Sequence, residues 1–100
     1  MRFDFYTPTE VTVILGERLK RRRLIQNFTQ TKLANRAGVG ISTIARIESG
    51  QGGTLDNVVR IAIALGMINE FAKLFDIAPA NIKEVIDQKN LRQRASKKNS

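Results

Sequence analysis

One hundred residues allow one compact domain with a short tail, and a core too small for a deep, lidded substrate cavity. The chain has no cysteine and no histidine, which removes disulfide frameworks, thiolate metal sites and the commonest general base and metal ligand. Lys and Arg number 17 against 9 Asp and Glu, and a net charge of +8 attracts polyanions: nucleic acid or an anionic membrane surface.

The excess is clustered, in "RLKRRR" at 18–23 and in the acid-free run from Lys89 to Lys98. The opening "MRFDFYTPTE" lacks the long apolar core of a signal peptide. The most apolar run, "VVRIAIALGMI", is too short for a membrane span and is interrupted by Arg60. The expectation is a soluble cytoplasmic protein with no membrane partner.

Residues 2–6, "RFDFY", alternate so that Phe3 and Phe5 share a face, which fits a short N-terminal strand or an arm on apolar surface. Thr7-Pro8-Thr9-Glu10 has the chemistry of a helix start. Thr7 can cap, Pro8 suits the first helical position, and Glu10 completes a capping box. The first helix is predicted to reach about Gln26, with Asn27 as its stop, and to bury Val11, Leu15 and Leu19 at i, i+4 and i+8. The same spacing then meets Arg23, and an arginine on a buried stripe needs a partner.

Thr29 caps a second predicted helix, roughly Gln30 to Ala37, with Leu33, Ala34 and Ala37 inward. Gly38 is its left-handed stop, and Val39 plugs the turn into the core. A third helix spans about Ile41 to Ser49, with Ile44 and Ile47 inward and Gly50 at its end. After the loop "QGGT", Thr54 caps a fourth, Leu55 to Leu65, which Gly66 terminates. This helix is apolar almost all round, so one face packs on the domain and the rest needs another cover. A dimer partner and the C-terminal helices both qualify, and the interface candidates are Val59, Ile63, Phe71, Phe75, Ile82 and Ile86. Asn69 can cap a short fifth helix, "EFAKLF"; a sixth, about Pro79 to Lys89, presents Ile82, Val85 and Ile86 at i, i+3 and i+4. Residues 90–100 are polar and basic and read as a disordered tail.

Two short helices joined by a turn of about four residues around Gly38 define a helix-turn-helix. A major groove accepts one α-helix, while the preceding helix braces it across the backbone. Such a helix needs an apolar inner face and a polar outer face, and the third helix has both. Ser42, Thr43 and Arg46 point away from Ile44 and Ile47. The fold class is therefore all-α. A five- or six-helix repressor-like DNA-binding domain is expected over 7–77, with an arm or strand at 1–6, a C-terminal helix at 78–89 and the tail at 90–100.

The run "TQTKLANRAGVGISTIARIESG", with "RLKRRRLIQNF" before it and "TLDNVVRIAIALG" after it, resembles the phage-repressor and Cro-like (XRE) helix-turn-helix family over about residues 14–66. The resemblance implies roles at matching positions. Gln30 would contact phosphate and brace the recognition helix. Ile41, Ser42 and Arg46 would face base edges, with Thr43 nearer the phosphates and Gly40 also among the DNA-binding residues. Gly52, Gly53 and Thr54, with the amides opening the fourth helix, would touch the backbone. Family members often carry glutamine at the position of Ile41; isoleucine can meet a thymine methyl but cannot hydrogen-bond, so specificity leans on Ser42, Arg46 and DNA shape. The family also often pairs an arginine late in its first helix with the glutamate of an Ile-Glu-x-Gly segment, which implies a buried structural pair of Arg23 and Glu48. Members usually dimerise on a palindromic operator.

A narrower resemblance extends further. "GGTLDNVVRIAIALGMINEFAKLFD", a following helix and "RQRAS" are similar to the HipB-type antitoxins. These bind a HipA-type kinase toxin and repress their shared operon. The alternative is a stand-alone regulator of phage or restriction-modification controller type. Asp4, Glu10 and Glu17 form no evident catalytic dyad, no glycine-rich phosphate loop follows a strand, and no metal set exists, so neither an enzyme nor a cofactor is expected.

Overall fold

The computed structural model describes residues 2–77. They form four α-helices, α1 (Pro8–Ile25), α2 (Gln30–Ala37), α3 (Ile41–Glu48) and α4 (Leu55–Ala64), followed by a 3-10 turn at Ile68–Phe71. No strand is present among the described residues, and no described helix is long and apolar enough to cross a membrane.

Each helix begins where local chemistry dictates. Thr7 accepts from the Glu10 amide while its own amide donates to the Glu10 carboxylate, both at 3.1 Å, and Pro8 occupies the first turn. Thr29 and Thr54 cap α2 and α4 through the amides of Lys32 and Asn57. The helices also end as expected. Asn27 takes φ 60° after α1, and Gly38 takes φ 70° after α2, a left-handed conformation that costs glycine least.

The core lies between the helices. Leu19 of α1, Leu33, Ala34 and Ala37 of α2, Ile44 and Ile47 of α3, and Ile61 and Leu65 of α4 form one buried cluster. Phe28, Val39 and Val58 pack against its edge. Leu33, Ile44 and Ile61 are the largest side chains fully removed from water. Each such side chain contributes roughly 1.5–3 kcal/mol of transfer free energy.

Four sequence expectations need correction. The buried line of α1 is Gly16, Leu19 and Arg23, whereas Leu15 is 45% exposed and Val11 only half-buried. The cause is backbone proximity. A Cβ at Gly16 would sit 2.2 Å from the carbonyl oxygen of Ile47, so α1 turns its glycine, not its leucine, onto the end of α3. Residues 2–6 form a turn, with the Tyr6 amide donating to the Phe3 carbonyl at 3.0 Å. Phe3 lies near Tyr6 and beneath the Arg18 guanidinium, while Phe5 is almost fully exposed, so the two phenylalanines do not share a face. The stretch expected as a fifth helix is instead the 3-10 turn, continued by i to i+3 bonds from Ala72 to Asn69 and from Leu74 to Phe71. Leu74 is half exposed and Phe75 almost fully so, and among the described residues little tertiary packing rewards a longer α-helix there. The count of five or six helices thus becomes four for residues 2–77. The expected sixth helix, with Ile82 and Ile86, and the basic tail lie outside the described residues.

Candidate nucleic-acid interface

The outer face of α3 is built by the burial of its inner one. Ile44 and Ile47 are 1% and 5% exposed, which fixes the helix's rotation and leaves Ile41, Ser42 and Arg46 on the solvent side. Thr43 is half-buried at the edge. Gly40 is the N-cap in extended conformation; its carbonyl accepts from the amides of Thr43 and Ile44, and no side chain caps the helix. The first amides of α3 are therefore left to water or a ligand. Ile41 is about half exposed. Arg46 pairs with no acid among the described residues.

Beside this face lies a cleft of about 310 Å³. It is lined by Thr43 and Arg46 of α3, the loop residues Gln51, Gly52 and Gly53, and Thr54 and Asn57 at the start of α4. None of these seven is acidic. The nearby acid of α4's first turn, Asp56, is tied to Arg60 at 2.8 Å one turn on. That hydrogen bond, and the carboxylate's charge after it, raise the Arg60 guanidinium above its already high ordinary pKa.

Behind the face sits a polar cluster. Arg23 donates through Nε to Glu48 Oε2 at 2.7 Å and through Nη2 to Glu48 Oε1 at 3.0 Å. Its Nη1 donates to the Phe28 carbonyl at 2.7 Å. Both residues are buried. Gln30, half-buried at the first position of α2, donates through Nε2 to Glu48 Oε1 at 3.2 Å. The amide thus ties the start of α2 to the end of α3. No buried side-chain nitrogen or oxygen among the described residues lacks a partner.

A family model described as helix-turn-helix matches residues 19–71, just over half of the chain. The chain belongs to the XRE-type helix-turn-helix family. It is a DNA-binding transcription regulator. No curated protein gave a match to the chain.

Within this helix-turn-helix protein, the structure gathers Ile41, Ser42, Thr43 and Arg46 on one helix, with Gly53 and Thr54 lining the same cleft as Thr43 and Arg46. Gln30 stands apart on α2, joined through Glu48. Val59 is half-buried and Ile63 is 58% exposed on α4; Phe71 is half-buried and Phe75 is 94% exposed. Sequence reasoning did not single out Gln51 or Asn57 as cleft residues. Asn57 sits three residues after the Thr54 cap, in α4's first turn, so cap spacing held the signal. Nor did it anticipate the hydrogen bond from Gln30 to Glu48.

Proposed function

We propose that this protein is a sequence-specific repressor that seats α3 in the major groove of a palindromic operator as a homodimer in the cytoplasm, and that it catalyses no reaction. The observation that carries this reading is the exposure of Ser42 and Arg46 opposite buried Ile44 and Ile47, beside a cleft without acids. Arg46 reads a guanine edge, where a bidentate contact discriminates by roughly 1–3 kcal/mol. Ser42 contacts bases or phosphate, and Ile41 offers only apolar contact, as to a thymine methyl. Gln30, Gly40 and Thr43 lie along one strand, and Gly53 and Thr54 present backbone amides to a phosphate in the cleft.

The test is a salt titration with Arg46→Ala alongside. For about six phosphate contacts, log K should fall with log salt at a slope of about −5. Arg46→Ala should flatten the preference between operator and unrelated duplex. A binding constant indifferent to salt would overturn the reading; an unchanged preference would remove Arg46 as the reader.

A narrower role, antitoxin to a HipA-type kinase toxin, is supported by the resemblance of residues 52–76 to HipB-type proteins and by the apolar surface at Ile63, Leu74 and Phe75. The stand-alone regulator fits the same surfaces. Co-expression with the adjacent gene separates them: a kinase-sized chain that co-purifies identifies the antitoxin, and a lone homodimer the plain regulator.

A further inference from the structure

We propose that Glu48 is a positioning residue for DNA, acting through Gln30; this rests on the DNA-binding reading above. An ionised carboxylate only accepts hydrogen bonds, so it selects which end of an amide can lie against it. Glu48 Oε1 already accepts from Arg23, whose guanidinium pairs with the carboxylate through both oxygens. The Gln30 amide must therefore present Nε2, not its carbonyl oxygen, to Glu48. One Nε2 hydrogen is committed to the carboxylate. The second remains to donate, and a phosphate is an acceptor. A glutamine on a free rotor would instead offer oxygen or nitrogen to the phosphate and would lose rotamer entropy on binding. The ion pair that holds α1 to α3 thereby also sets the polarity of a phosphate contact at the start of α2.

The experiment is a double-mutant cycle on Gln30→Ala and Glu48→Gln. The probe is a mixed-sequence duplex of about 20 base pairs, long enough for two half-sites a helical turn apart. Affinities are corrected for the folded fraction measured in parallel. Gln30→Ala should weaken binding by about 10- to 100-fold, the worth of one hydrogen bond from a neutral donor to a charged acceptor, without changing the salt slope, because the amide is uncharged. Glu48→Gln should weaken it similarly, although removing a negative charge on its own would tighten binding to DNA. It should add nothing further in the Gln30→Ala background. Equal or tighter binding by Glu48→Gln, or losses that simply add, would overturn the proposal. Should Glu48→Gln fail to fold, side-chain amide relaxation of Gln30 in the wild-type protein decides. A rigid Nε2 group before DNA is added supports positioning, and a mobile one sinks it. The salt slope of the wild-type protein keeps the two readings apart: if it is steep and Gln30→Ala is silent, only the positioning role falls.

Discussion

The guanidinium of Arg23 is contacted from two separate segments, the last turn of α3 and the carbonyl of Phe28 before α2. With the residue 6% exposed, these contacts replace water around a full charge. Arg23→Ala would leave Glu48 buried with only the Gln30 amide for company. The expected loss is about 3–5 kcal/mol, read as a lower urea midpoint, whereas replacing both partners together by apolar residues should recover most of it. That Arg23 is buried and needs a partner was legible because an arginine falls on the helical line continued from Leu19; Glu48 as that partner came from the family resemblance. Leu15 was misread on that same line. Apolar spacing registers side chains, and the contact that rotates α1 is made by the backbone at Gly16, where there is no side chain to register. Gln30 was placed near the interface from the motif, but its bond to Glu48 depends on where α3 ends in space, 18 positions along the chain.

The helices themselves were the most readable part of this chain, because starts and stops are local. Thr7, Thr29 and Thr54 each cap the helix that follows, and Asn27, Gly38 and Gly66 each take a positive φ where the helix before them ends. Thr29→Ala should cost roughly 1 kcal/mol by loss of the bond to the Lys32 amide. Gly38→Ala should cost about 1–2 kcal/mol by forcing a Cβ into the left-handed region. Thermal melts of the two variants would check both values. If Gly38→Ala melts with the wild type, the turn between α2 and α3 is not held at that angle in solution. The segment after Gly66 was less readable. "EFAKLF" has helix-forming composition, but a few residues cannot offset the entropy of nucleation without packing, and Leu74 and Phe75 find little among the described residues. The ion pair between Arg22 and Glu70 ties the 3-10 turn back to α1.

On the scale of the whole molecule, the apolar surface at Ile63 is the clearest candidate for contact with a second copy. The proposed dimer predicts a concentration-dependent mass in sedimentation. Ile63→Glu should shift it to monomer and weaken binding to a full palindrome more than to an isolated half-site; equal losses on both would argue for another interface. The length of α3 makes a second copy matter. Eight residues at 1.5 Å each give a rod of about 12 Å, and such a rod touches about four base pairs. A word of that length recurs by chance once in roughly 250 base pairs. One subunit therefore carries too little information to find a single address in a genome, and for the proposed dimer selectivity becomes a question of how two short words are spaced rather than how well either is read.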